Sequence, residues 1–271
     1  MMNQLHTDCA LVVSSCDAYS DLWKPFFTLL FRYWPDCPFP IYLISNKQIY
    51  WDKRVRPLLI GIDKRWATNT RRTLERIPEP YILWILEDLF LEKPTNTNYI
   101  LKLLDYLKFN HAATIRLHPT PIPDEDFEND LNLGRIGHSA DYRTSLNAAI
   151  WDKQIFYHLI REGENPWQME VDGTKRSRDL SSTFLSVKSA ALNYNQLGAT
   201  IRRKWRYEAI LLCQREKISV DYSCRPIAYA DYILRRLDFA RKISFARCLR
   251  AIPVVGPLIR DLLALTKRVM Q

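Results

Sequence analysis

The chain has 271 residues, 47% of them hydrophobic and 25% charged, with seven glycines against fifteen prolines. At about 150 residues per domain this allows one large domain or two small ones, and the composition excludes a disordered chain, a collagen and a coiled coil. The net charge of +9 is uneven: residues 200–271 hold 16 Lys/Arg and 6 Asp/Glu, whereas residues 1–199 hold 23 and 24.

The scarcity of glycine argues against a Gly-rich phosphate loop and a dinucleotide fingerprint. Six cysteines occur (Cys9, Cys16, Cys37, Cys213, Cys224 and Cys248) without a CxxC pair, so a zinc site is not expected. The first eight residues are polar and the apolar run after them is short, unlike a signal peptide. No run of about 18 uncharged apolar residues suggests a membrane span. The expectation is a cytoplasmic protein with reduced thiols.

In chain order, the β-branched apolar run at residues 9–15 predicts a buried strand, and the dense apolar spacing over 21–34 a core-facing helix ended by Pro35, Pro38 and Pro40. Residues 41–45 and 58–62 read as strands and 66–77 as a helix closed by Pro78 and Pro80. Residues 81–86 form a fully apolar strand, 99–109 a helix and 113–117 a strand. Residues 119–130 carry three prolines and five acids and read as an exposed loop. A strand is expected at 145–151, a short helix at 153–161, a turn at 163–167 and a basic helix at 200–214. A basic helix over 231–249 and, after Pro253 and Pro257, an amphipathic helix over 258–270 close the chain. Strands alternating with helices imply α/β units, whose ligands bind beyond the carboxyl ends of the strands.

Polar groups that fall at that edge are Ser15-Cys16-Asp17, Ser45-Asn46 and Glu87-Asp88. The last follows the strand Tyr81-Ile82-Leu83-Trp84-Ile85-Leu86. Adjacent carboxylates there can hold a divalent cation that bridges nucleotide phosphates, or can simply follow the strand and cap the next element. Cys16 beside an acid is a poor nucleophile, and no G-x-S-x-G elbow supports a hydrolase. His111, His118 and His138 lack ligand spacing.

Three segments together resemble bacterial nucleotide-sugar glycosyltransferases of the GT-A fold, of the kind found in capsule and O-antigen clusters. They are Val12-Val13-Ser14-Ser15-Cys16-Asp17 with Tyr19 and Asp21-Leu22-Trp23, then Trp66 and Asn69 with the run to Asp88, and Asn147-Ala148-Ala149-Ile150-Trp151 through Glu164-Asn165-Pro166-Trp167 and Glu170. The resemblance covers roughly residues 9–225. It implies a Rossmann-like mixed sheet with flanking helices over residues 1–225, and the charge pattern adds a basic helical extension over 226–271.

By the same resemblance, Ser15, Asp17, Asn69, Glu87 and Asp88 hold the nucleotide-sugar, Asp88 binds Mn²⁺ or Mg²⁺, and Glu164 or Glu170 is the base of an inverting transfer to a surface-polysaccharide or lipid-linked glycan. The family often has a second acid two positions after the first; here Leu89 follows Asp88, which puts metal dependence in question. Asp17 can equally be a helix cap. Arg65, Arg71 and Arg72 are candidates for the diphosphate, and Trp151 and Trp167 for a sugar ring. In the basic extension, charged and apolar residues interleave as in a helix lying on an anionic membrane, so the enzyme is expected at the inner face of the cell membrane. No nucleic-acid signature is present. A catalytically inactive scaffold with the same fold is the alternative.

Overall fold

The computed structural model describes residues 8–127 and 131–236. The chain divides into two compact units, Met1–Leu197 and Gly198–Gln271.

The first unit is built on one nine-stranded sheet. Its strands are β1 (Cys9–Ser14), β2 (Ile41–Ser45), β3 (Val55–Leu59), β4 (Tyr81–Leu86), β5 (Thr114–Arg116), β6 (Glu125–Asp126), β7 (Leu133–Arg135), β8 (Ala149–Asp152) and β9 (Phe184–Val187). The spatial order is β3-β2-β1-β4-β8-β5-β9-β7-β6. β3, β2, β1 and β4 are parallel, with Leu11 opposite both Ile41 and Leu83. β8 enters antiparallel between β4 and β5, pairing Trp84 and Arg116 with Ala149 from its two sides. β5 and β9 are parallel. The result is a mixed, Rossmann-like α/β sheet with flanking helices, the class that the sequence implied.

Helices α1 (Trp23–Tyr33), α2 (Trp66–Arg76), α3 (Thr97–Phe109), α4 (Lys153–Leu159) and α5 (Pro166–Ser177) cover the sheet. Alternation along the strands divides the apolar residues between two faces. Ala10, Val12, Ile82, Trp84, Ala149 and Trp151 pack with Ala67 and Leu74 of α2, Phe156 of α4 and Met169 of α5. Phe156 lies 5.1 Å from Trp84 and 5.0 Å from Trp151, ring centre to ring centre. Such pairs add about 0.5–1.5 kcal/mol each beyond their burial. Leu11, Val13, Leu83 and Ile85 point to the other face. The helices outside that cluster, α1 and α3, are tied together there: the Trp34 indole N–H donates to Thr97 Oγ1 at 2.8 Å.

Three expectations need correction. The third strand is Val55–Leu59 and not 58–62; it contains Pro57, which lacks an N–H and is tolerated because β3 lies at the sheet edge. Residues 163–167 are not only a turn. Asn165 accepts the Gln168 N–H at 2.9 Å and Gln168 Oε1 accepts the Asn165 N–H at 2.9 Å, a capping box that starts α5 with Pro166 in its first turn. Residues 200–214 are not one helix. They hold a hairpin of β10 (Thr200–Ile201) and β11 (Lys204–Trp205), followed by α6 (Tyr207–Arg215). Arg202 and Arg203 turn the hairpin at φ 48° and 64°, a type I′ geometry that ordinarily selects Asn-Gly.

In the second unit Trp205 is buried, with its ring centre 5.4 Å from that of Tyr222. Residues 229–236 are helical. The remainder of the expected helix at 231–249, the helix at 258–270 and Cys248 lie outside the described residues. Among the described residues the five cysteines are free thiols, and no helix is long and apolar enough to cross a membrane.

Candidate functional site

Strand order reverses at β1: the chain moves outward through β2 and β3, then returns to place β4 on β1's other side. In open α/β sheets the crevice at such a switch point, beyond the carboxyl ends of the strands, is where ligands bind. Here the crevice lies between Ser14 and Leu86, which stand opposite one another. The ladder runs one bond further, with the Glu87 N–H donating to Ser14 O at 3.3 Å.

Ser15, Asp17 and Asn69 lie along this edge, and the structure shows what each side chain does. Ser15 Oγ accepts the Trp23 indole N–H at 2.7 Å, which fixes the start of α1. The Asp17 carboxylate accepts backbone N–H groups of Asn46, Lys47 and Gln48 at 2.9–3.3 Å. Asn46 Oδ1 accepts the Asp17 N–H in return, at 2.9 Å. Asn69, buried in α2, donates to Asp63 Oδ1 at 2.6 Å and accepts the Lys64 N–H at 3.2 Å. These groups fasten the loops after β1, β2 and β3 to one another and to α2. Asp63 joins this edge, although nothing in its sequence context marks it.

Glu87 and Asp88 are half-buried at the end of β4. Burial raises the Cys16 thiol above its ordinary value, the Ala18 backbone opposes this, and the charges of Glu87, Asp63 and Asp17 add to the rise. Leu89 is 4% exposed, and its N–H bonds to Leu86 O at 3.1 Å. The chain turns inward there, and a side chain at position 89 belongs to the core.

The two carboxylates considered as bases have different surroundings. Glu164 is 13% exposed and forms a bidentate ion pair with Arg176, at 2.7 and 2.9 Å. It also accepts the Arg161 N–H at 3.1 Å, and its carbonyl accepts the Ala67 N–H. Glu170, on α5, accepts the Leu146 N–H at 2.7 Å. Burial raises its carboxyl above the ordinary range, against the opposing effects of Leu146 N–H, the Ser145 hydroxyl and Arg116. Leu146 lies just ahead of β8, whose first residue pairs with Trp84. Glu170 therefore reaches the same carboxyl edge as Glu87 and Asp88.

Arg116, the last residue of β5, is buried and donates to Pro121 O at 2.8 Å. Burial pushes its guanidinium down to about 10, with Tyr194, Asp124 and Glu170 opposing. The signal for it in sequence was a lone cation inside the apolar strand run. His118 beyond it lies within hydrogen-bond reach of Thr120 Oγ1 through Nδ1 and of the Gln196 amide nitrogen through Nε2, each at 3.0 Å. A donating amide makes Nε2 an acceptor and leaves the proton on Nδ1. Burial and Arg116 both lower its pKa, in keeping with a neutral ring.

Arg71 is held by the carbonyls of Tyr157 and Ile160, both at 3.0 Å, and faces the Tyr157 ring. Arg65 donates to Gly163 O at 3.3 Å and has φ 93°, a backbone region rare outside glycine. Trp151 is wholly in the core and offers no face to a sugar, whereas Trp167 is 74% exposed.

No protein-family model matches the sequence, and neither does any curated protein. Among solved structures the chain is similar to S. aureus TarS 1–349, at 7% identity and TM-score 0.42, covering 66% of this chain and 60% of that one. It is also similar to the same protein in complex with UDP, at 7% identity and TM-score 0.47, covering 69% and 59%. A cytidylyltransferase from Leptospira borgpetersenii serovar Hardjo-bovis aligns at 9% identity and TM-score 0.36, covering 61% and 68%. The chain thus spans about three fifths of these TarS structures.

Proposed function

We propose that the chain is a nucleotide-sugar-dependent glycosyltransferase, with Glu170 as the base, that extends a surface-polysaccharide or lipid-linked glycan. The observation that carries this reading is Glu170 itself. Its carboxyl is held by the Leu146 N–H, raised by burial, and set at the edge where Glu87 and Asp88 emerge. A carboxylate with a raised pKa in a fixed position suits proton abstraction near neutral pH. The Glu164 carboxylate, closed in its ion pair with Arg176, has a structural role in this reading.

The acceptor hydroxyl gives its proton to Glu170 as its oxygen bonds to the anomeric carbon. The bond from that carbon to the diphosphate oxygen breaks, and its electron pair leaves with the nucleoside diphosphate. One displacement of this kind inverts the anomeric configuration. Ser15, Asp17 and Asn69 act by holding the loops that line the nucleotide, and Arg116 limits the rise of Glu170.

The acids of this edge, Asp17, Asp63, Glu87 and Asp88, would repel a diphosphate. Among the described residues no group of three His, Cys, Asp or Glu side chains could hold a metal. The adjacent hard carboxylates Glu87 and Asp88 fit Mg²⁺ or Mn²⁺ whose remaining ligands come from substrate phosphates and water. When bound, such an ion would offset charge on the departing diphosphate. Residues 1–225 form the catalytic part in this reading, and 226–271 a basic extension that meets an anionic membrane at the cytoplasmic face.

The test is transfer or donor hydrolysis with a panel of UDP-, GDP-, CMP-, ADP- and dTDP-sugars, for the wild type and Glu170→Gln. Turnover of one donor class, lost in the variant, supports the reading. A product with retained configuration overturns inversion. No turnover and no binding of any donor overturns the enzyme in favour of a scaffold.

A further inference from the structure

A second cleft, of about 600 Å³, opens at the opposite edge of the sheet. It lies at the amino end of β9, where β7 ends and α5 gives way to the β9 strand. β9 runs parallel to β5, and β8 lies antiparallel to both β5 and β4. This mouth is therefore separated from Glu87 and Asp88 by the length of the strands.

Three arginines, Arg135, Arg143 and Arg178, stand in its lining. Arg143 is 5% exposed and lies over the Phe184 ring, 3.9 Å from its centre. One end of its guanidinium donates to Ser177 O at 2.6 Å, while its buried Nε has no hydrogen-bond partner among the described residues. Arg178 shares the cleft, and among the described residues its side chain reaches the Ser139 carbonyl alone, at 3.4 Å. Burial lowers the pKa of Arg143, the Arg178 charge lowers it further, and Glu125 opposes them. Among the described residues neither arginine has a carboxylate ion pair. Arg135, also in the lining, stands 3.9 Å from Glu125.

Two guanidiniums in one cleft wall, one of them buried and neither closed in a carboxylate ion pair among the described residues, suit an oxyanion. The rest of the wall carries hydroxyl-binding groups: the acids Glu125 and Asp179, and the Ser181 and Ser182 hydroxyls. The volume falls within the range of small-molecule pockets. We propose that this cleft binds an acidic sugar, a saccharide unit bearing a phosphate or carboxylate, with the anionic group between Arg143 and Arg178 and the ring hydroxyls on Glu125, Asp179 and the serines. The site stands independently of the chemistry assigned to the other edge.

The test is calorimetric titration of the full chain with glucose 6-phosphate, glucuronate, glucose and inorganic phosphate. The expected result is that at least one acidic sugar binds about tenfold or more tighter than glucose or phosphate alone, and the better of the two identifies the anion. Arg178→Ala, a surface change, should weaken that binding by about tenfold while the melting temperature and any response to nucleotides stay unchanged. Arg143→Lys, which keeps the charge and loses the fork, should weaken it too. Failure of both acidic sugars to bind, equal binding of phosphate alone, or unchanged binding in Arg178→Ala would each overturn the proposal.

Discussion

Asp17 and Asn46 hold each other by their backbones: the Asp17 carboxylate accepts the Asn46 N–H and Asn46 Oδ1 accepts the Asp17 N–H, both at 2.9 Å. The pair locks the carboxyl end of β1 to that of β2, so the lip of the crevice is set before any ligand arrives. Lys47 and Gln48 N–H groups complete the ring around the carboxylate.

Removing that lock should cost stability more than chemistry. Asp17→Ala leaves a set of N–H groups without their charged acceptor, and a loss of about 1.5–3 kcal/mol is expected. Urea denaturation of Asp17→Ala, Asn46→Ala and the double variant measures it. The double variant should lose less than the sum of the two, because the residues share their bonds.

Glu170→Gln separates stability from catalysis. A folded-state pKa above the ordinary 4.5 means that this carboxyl favours the fold when protonated, and that this contribution fades as pH rises through the raised value. The amide keeps an acceptor for the Leu146 N–H and carries no charge. At neutral pH the variant should melt at or above the wild type, with transfer reduced by about 10²–10⁴-fold. For the wild type, kcat/KM should fall as pH drops through the raised Glu170 value. An acid limb that persists unchanged at the ordinary glutamate value would count against Glu170 as base.

Glu164→Gln should behave in the opposite way. It breaks the charge match with Arg176 in a part-buried setting, between the near-zero worth of surface pairs and the several kcal/mol of buried ones. A loss of about 1–3 kcal/mol is expected. Activity per folded molecule should stay within a fewfold of wild type, read from active-site-normalised rates at a temperature well below melting.

Asp88→Asn tests the cation. If Asp88 carries Mg²⁺ or Mn²⁺ at the diphosphate, nucleotide binding should raise the melting point further with the ion present than without it. A saturating nucleotide at 100 times its dissociation constant is worth about 2.7 kcal/mol. The variant should lose the metal-dependent part alone. A nucleotide shift insensitive to both chelator and Asp88→Asn would remove the metal from the mechanism.

Much of the architecture was legible because it rests on local signals. The apolar runs of β1, β2 and β4 and the apolar spacing of α1 and α3 carry their periods in a few residues. β3 was displaced because Arg56 and Pro57 disguise an edge strand as a loop. The Arg202-Arg203 turn was invisible because neither residue advertises a positive φ. The capping box of Asn165 and Gln168 is a local sequence signal for the start of α5, masked by the turn signal of Gly163 and Pro166. Sequence favours Glu164, mounted in the turn before Pro166 and Trp167; the proposal of Glu170 rests on contacts that sequence does not display, Arg176 folding back on one carboxylate and Leu146 arriving beside the other. Asp63 and Arg116 matter only once the strand order is known.

The antiparallel β8 also bears on synthesis. β4 is an unbroken Tyr-Ile-Leu-Trp-Ile-Leu run whose second edge is closed only by residues Ala149–Asp152. As the chain leaves the ribosome, β4 waits for roughly 60 further residues, about 3–12 s at ordinary translation rates, with that edge open. An apolar strand held open in this way is a template for pairing with other chains. Nascent chains and truncations ending before residue 149 should therefore need a chaperone to stay apart, and β8 is the segment whose arrival releases them.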